Sequence, residues 1–152
     1  MPVSSNAGHL RIGRFSEPGR IYLLTTVVHQ RQSVFTDWRM GRLVVQELSH
    51  TQEEGWVDFL AWVVMPDHMH CLVQLRDKTL AELMCRIKSR SSLAVNQALE
   101  RQGRLWQKGY HDRAVRREED VKNLARYVIA NPIRAGLVDR VHDYPLWDAC
   151  WL

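Results

Sequence analysis

The chain has 152 residues, 45% hydrophobic and 25% charged, which fits one globular domain with its own core and excludes a disordered or fibrous protein. No run approaches the roughly 18 apolar residues of a membrane span, residues 1–20 lack the apolar stretch of a secretion signal, and the three cysteines form no CxxC pair, so a cytoplasmic chain without disulfides is expected. The net charge is +4, and 17 of the 21 basic residues are arginine, whose planar fork suits phosphate groups, although a solvated surface accounts for the charge equally well.

Residues 1–20 carry Gly8, Gly13, Pro18 and Gly19 among Arg11, Arg14 and Arg20, and read as a flexible basic arm ahead of a single domain over 21–152. β-Branched and aromatic residues make 21–29 (IYLLTTVVH) a strand. Met40, Leu43, Val44 and Leu48 then recur at helical spacing behind Asp37, a suitable cap, and Gly55 closes that helix. Residues 56–65 (WVDFLAWVVM) are nearly continuous in apolar residues, which predicts a central strand. Pro66-Asp67 is a turn signal and HMHCLVQL, from His68, a third strand; so short a connection implies an antiparallel hairpin. A second helix spans 79–100, with Leu80, Leu83, Met84, Ile87, Val95 and Leu99 on one stripe. Residues 105–115 read as a fourth strand and 118–130 as a third helix. That helix is expected to stop at Asn131-Pro132, because the residue before a proline is pushed out of the helical region. A tail with Tyr144, Trp147 and Trp151 follows. The order is the split βαβ, ferredoxin-like pattern: an α+β fold with a four-stranded antiparallel sheet, helices on one face, and an additional C-terminal helix. Such a fold assigns no function by itself.

Two residue sets carry chemistry. Alternation along the third strand sends Met69, Cys71, Val73 and Leu75 to one face and His68, His70, Leu72 and Gln74 to the other. Imidazoles at i and i+2 start roughly 6.5–7 Å apart and can converge on one ion. Two polar side chains on a wet sheet face would look the same, and the His-x-His pair alone also fits a cupin-like or hydrolase metal site. On the third helix Val121, Leu124, Ala125, Val128 and Ile129 form the apolar stripe, and Tyr127 falls about 120° from its centre. Asn123, Tyr127 and Asn131 make one polar row. A flank tyrosine with its hydroxyl in water is one reading. The other is a nucleophile: if the helix lies against the open sheet face, the phenol and Asn131 point at the histidines. A divalent ion there would assist attack on a phosphodiester, leaving a 5′-phosphotyrosine and a free 3′-OH.

Val63-Val64-Met65-Pro66-Asp67-His68-Met69-His70 followed by the Tyr127 helix resembles the HUH-motif tyrosine transposases of the IS200 type, and most closely their REP-associated branch. Arg31 with Phe35, Ile87-Lys88-Ser89, Trp106-Gln107-Lys108-Gly109-Tyr110, Asn131-Pro132-Ile133-Arg134-Ala135-Gly136-Leu137-Val138 and Asp143-Tyr144-Pro145 extend the likeness over about residues 21–147. The resemblance implies a ferredoxin-like fold, a Mg²⁺ or Mn²⁺ ion, and single-stranded DNA with REP-type hairpins as substrate. It puts His68, His70 and Asn131 at the metal-ligand positions and Tyr127 at the nucleophile position. Relatives occur as monomers and as homodimers that exchange the tyrosine helix.

Candidate DNA contacts are Arg11, Arg14 and Arg20 in the arm, Arg86, Lys88 and Arg90 on the second helix, and Arg113, Arg116 and Arg117. Trp106, Tyr110 or Trp147 could stack on extruded bases. Three functions therefore compete: a nuclease and strand transferase, a non-catalytic DNA-hairpin-binding protein, and an HxH metallohydrolase using water.

Overall fold

The apolar run before Pro66 and the alternating run after it form the central hairpin of a sheet. The computed structural model describes residues 19–116 and 120–151. Of the arm expected over 1–20, residues 1–18, with Arg11 and Arg14, lie outside the described residues, as does Arg117. In chain order the elements are β1 (Ile21–Val27), α1 (Trp38–Glu53), β2 (Val57–Val64), β3 (His68–Leu75), α2 (Leu80–Leu99), β4 (His111–Ala114), α3 (Val121–Ile129), α4 (Asn131–Arg134) and β5 (Trp147–Ala149). The strands lie in the order β4-β1-β3-β2-β5, each antiparallel to its neighbours.

The first four strands have the ferredoxin-like order; the fifth is an addition. Trp147–Ala149, three residues of the tail, pairs with Ala61, Trp62 and Val63 on the edge that β2 would otherwise expose. A strand that short carries too little alternation to be read in advance. The expected fourth strand contracts to four residues. Leu105 and Trp106 turn inward instead, and Trp106 is buried with its Nε1 donating to Ser91 Oγ at 2.9 Å and its ring 5.4 Å from Phe35. Trp106 is therefore core and not a platform for bases.

The helices start where their caps predict. Asp37 accepts from the Arg39 amide, and Thr79 and Glu82 form a reciprocal capping box. Gly55, at φ 80°, ends the turn after α1. Asp120 accepts from the amides of Lys122 and Asn123 and starts α3 at Val121. Helix α3 ends at Ile129, one residue before the expected end, but Asn131 is not pushed out of the helical region: a second short helix starts there. Ala130 stays at φ −84°, ψ −1°, and Pro132 sits in the first turn of α4, where a missing N–H costs nothing.

Opposed residues in an antiparallel sheet share a face. Met69, Cys71, Val73 and Leu75 are buried on one side, the side of α1 and α2, which pack on each other. His68, His70 and Gln74 are partly exposed on the other. That second face is not open throughout: Leu72, Ala61 and Val63 on it are buried, and α3 packs against β2 and β3. Among the described residues no helix is long and apolar enough to cross a membrane, and all three cysteines are free.

Candidate active site

His68 and His70 meet as alternation requires, with ring centroids 4.8 Å apart and planes at 80°. Each ring is held through Nδ1. His68 Nδ1 lies 2.7 Å from Asp67 Oδ1, and Arg31 Nη1 donates to Asp67 Oδ2 at 3.2 Å. His70 Nδ1 lies 2.8 Å from Thr25 Oγ1, its partner across the β1–β3 ladder. With both Nδ1 atoms engaged, both Nε2 atoms remain to face a ligand, the usual division of labour in a histidine metal site.

Electrostatics agree with this arrangement. Burial, then the charges of His68 and Arg134, lower His70 to about 4, so the ring is a neutral donor at neutral pH. Burial works against the charge on Asp67, but hydrogen bonds and charge from His68 and Arg31 hold its carboxyl below the usual range.

Among the described residues no group of three His, Cys, Asp or Glu side chains forms a metal cluster. Asn131 opens α4, and its Nδ2 donates to the Val128 carbonyl at 2.9 Å, which leaves Oδ1 to accept. Two imidazoles plus an amide oxygen make a donor set suited to a borderline or hard divalent cation. The residues present fit the ion.

Tyr127 projects from α3 with 59% of its surface exposed, while Ala125 and Val128 on the same helix are buried. Arg134 lies over the Tyr127 ring, its guanidinium carbon 3.8 Å from the centroid, and Nη2 donates to the Tyr127 carbonyl at 2.8 Å. The same guanidinium acts on His70. Arg134 thus contacts the tyrosine, and its charge is one of the causes that lower His70.

The predicted basic contacts divide by layer. Arg113 pairs with Leu23, and Leu23 with Leu72, so it shares the histidine face; Arg116 is exposed just beyond β4. Arg20 sits past the far end of β1, about 16 Å along the strand from the Thr25 row. The three basic residues of α2 are engaged with the protein itself. Arg86 pairs with Glu54 at 3.0 Å and lies over Trp56, and Arg90 approaches Glu47 at 3.9 Å, both on the layer behind the sheet. Lys88 donates to the carbonyls of Gln107 and Gly109 at 2.7 and 2.6 Å.

Thr25 escaped the sequence reading, whereas His111 stands in the segment expected to be the fourth strand, beside the basic cluster. Thr25 and His111 are cross-strand partners on the histidine face, and they line a cleft of about 240 Å³ with Val27, Gln107, Lys108 and Tyr110. Only the strand register shows that they meet. Arg134 is seven residues from Tyr127, across the junction of α3 and α4.

Comparison with known proteins decides the family. The model for "Transposase IS200 like" matches residues 19–131. This chain belongs to the IS200-like transposase family. The transposase is 26% identical over 136 residues to the REP-associated tyrosine transposase of Escherichia coli, covering 87% of this chain and 78% of that protein. A Haemophilus influenzae protein provisionally given the same name is 26% identical over 143 residues, covering 84% and 78%. Among solved structures, a REP-associated tyrosine transposase bound to a REP hairpin superposes with a TM-score of 0.69 at 24% identity, covering 88% of this chain and 79% of that one. A Deinococcus radiodurans protein provisionally described as a transposase gives 0.52 at 17% identity, covering 76% and 90%. At those identities the superpositions speak to the fold. The IS200-like transposase thus has the α+β fold expected of it, with one more strand than expected.

Proposed function

We infer that this transposase is a single-stranded DNA endonuclease and strand transferase that recognises DNA hairpins and cleaves through a 5′-phosphotyrosine on Tyr127. The observation that supports the reading best is the histidine pair: the rings of His68 and His70 lie 4.8 Å apart, each engaged through Nδ1, which leaves both Nε2 atoms for a ligand. His68, His70 and Asn131 would hold a Mg²⁺ or Mn²⁺ ion, whose contribution when bound is to neutralise charge on the non-bridging oxygens of the phosphodiester. The Tyr127 oxygen forms a bond to phosphorus as the bond from phosphorus to the 3′ oxygen breaks. The phenol gives up one proton and the departing 3′ oxygen takes up one. Because the phosphodiester linkage is exchanged and not hydrolysed, another 3′-OH can reverse the step.

The domain is the catalytic unit over residues 21–152, acting as a monomer or homodimer, with Arg20, Arg113 and Arg116 and the arm residues Arg11 and Arg14 as phosphate contacts. That a related transposase was solved with a REP hairpin supports the substrate class.

Labelled single-stranded hairpin DNA incubated with the protein and Mn²⁺, then run on a denaturing gel, tests this. Wild type is expected to give a covalent protein–DNA band, and Tyr127→Phe to lose it while still binding the hairpin. Binding without a band in wild type would make the chain a hairpin-binding protein. Cleavage persisting in Tyr127→Phe would make water the nucleophile.

A further inference from the structure

We propose that Arg134 is a positioning residue for the nucleophile: its guanidinium holds the Tyr127 phenol in the orientation from which it reaches a phosphodiester beside His68 and His70. The inference rests on the reading of Tyr127 just given and adds a residue to it.

A phenol with 59% of its surface exposed on a helix has few packing contacts to select its rotamer. Loss of about 1 Å in placement of a reacting group costs roughly 100-fold in rate, so such a nucleophile needs a support. Arg134 supplies one from two sides. Its guanidinium lies 3.8 Å from the ring centroid, and its Nη2 is anchored on the Tyr127 carbonyl at 2.8 Å. A flat cation over a ring face restricts the ring without touching the hydroxyl, which stays available to attack.

The backbone delivers Arg134 to this position. Ala135 and Ile133 donate to the carbonyls of Asn131 and Ala130, closing the turn of α4, and Gly136 at φ 75° ends it. Arg134, at the end of α4, thus returns to Tyr127 across the junction of α3 and α4 and donates to its carbonyl. Its charge also reaches His70. A guanidinium has five N–H donors, and one is engaged on the Tyr127 carbonyl. Arg134 forms no bond to phosphorus and transfers no proton. A lysine would keep the charge but could neither lie flat on the ring nor hold the carbonyl in the same fork.

The test compares wild type, Arg134→Ala and Arg134→Lys as full chains, with a labelled single-stranded hairpin and Mn²⁺. Adduct formation is followed in a single turnover at saturating DNA, and hairpin affinity is measured separately. Arg134→Ala is expected to slow adduct formation roughly 100-fold with hairpin affinity nearly unchanged. Added guanidinium ion is expected to restore part of that rate and to leave wild type unaltered. Arg134→Lys stays slow. Wild-type rates in Arg134→Ala, a loss found wholly in affinity, or full activity in Arg134→Lys would each overturn the assignment. A wild-type protein that binds the hairpin but forms no adduct fails at an earlier point, removing the nucleophile reading and this one together.

Discussion

His68 and His70 stand two positions apart and are held differently, one by a carboxylate and one by a hydroxyl. The carboxylate–imidazole contact at His68 fixes a tautomer and makes the ring a stronger donor, and Arg31 in turn fixes the carboxylate. Arg31 pays for its place in backbone terms: it and Gln30 sit at φ 51° and 57°, a region that costs an L residue about 1–2 kcal/mol. His70 is the residue whose setting has a measurable consequence for stability. Burial, His68 and Arg134 lower it from 6.5 to about 4, so between those values the unfolded chain binds the proton more readily than the folded one. The stabilising contribution is complete above about 6.5 and is lost as pH falls toward about 4, amounting to about 3 kcal/mol for a shift of that size. Urea unfolding of metal-free protein at pH 7 and pH 4.5 should show this drop, and His70→Gln should remove most of it. Equal pH dependence in the two proteins would refute the account. The spacing His-x-His was legible in the sequence because alternation is local; the hydroxyl and guanidinium around it were not, because they arrive from other strands and loops.

Among the elements, periodic segments were read well and segments with mixed duties were not. The helix stripes and the caps Asp37 and Gly55 follow from nearest-neighbour physics, and they hold. Residues 105–115 misled because apolar content there serves two ends: Leu105 and Trp106 plug the core, and only His111–Ala114 pairs as a strand. Between them the chain from Gln107 to Tyr110 forms the wall of the cleft beside Thr25. Lys88, expected to touch phosphate, instead holds that wall through two carbonyls, while the Gln107 amide donates to Val27 at 2.7 Å. Replacing Lys88 by Met keeps the aliphatic stem and removes the donors. Hydrogen bonds from a charged donor contribute about 1.5–3 kcal/mol, so Lys88→Met should lower stability by that order and speed amide exchange over 107–110. Unaltered exchange in that segment would show that the loop holds its shape without the clamp.

For the whole molecule, the setting of the histidine pair draws on residues 25, 31 and 67–70, brought together by strand register and the turn after β2, while α3, which carries Tyr127, packs on β2 and β3. No pattern within a short window encodes that convergence, which is why the sequence yielded the pieces and not the contacts. The tail shows the same limit: three residues of β5 close the sheet, and the residues before it strap the sheet to the helical layer. Tyr144 Oη donates to the Val64 carbonyl at 2.6 Å, the Val64 amide donates to the Leu146 carbonyl, and Leu146 packs buried against α1 at Gly41. A Cβ on Gly41 would overlap a methyl of Leu146, so the glycine is where the strap and helix approach each other. In an exposed helix Gly→Ala would gain about 1 kcal/mol, but overpacking a buried contact costs about 1–3 kcal/mol. Gly41→Ala should therefore destabilise the protein by up to about 2 kcal/mol despite the better helix former. Leu146→Ala alone should cost about 2–5 kcal/mol through the cavity it leaves. In the double variant the new methyl occupies part of that cavity and meets no clash, so the combined loss should fall short of the sum by more than about 0.5 kcal/mol in urea unfolding. Strict additivity would mean that strap and helix do not press on each other at this point.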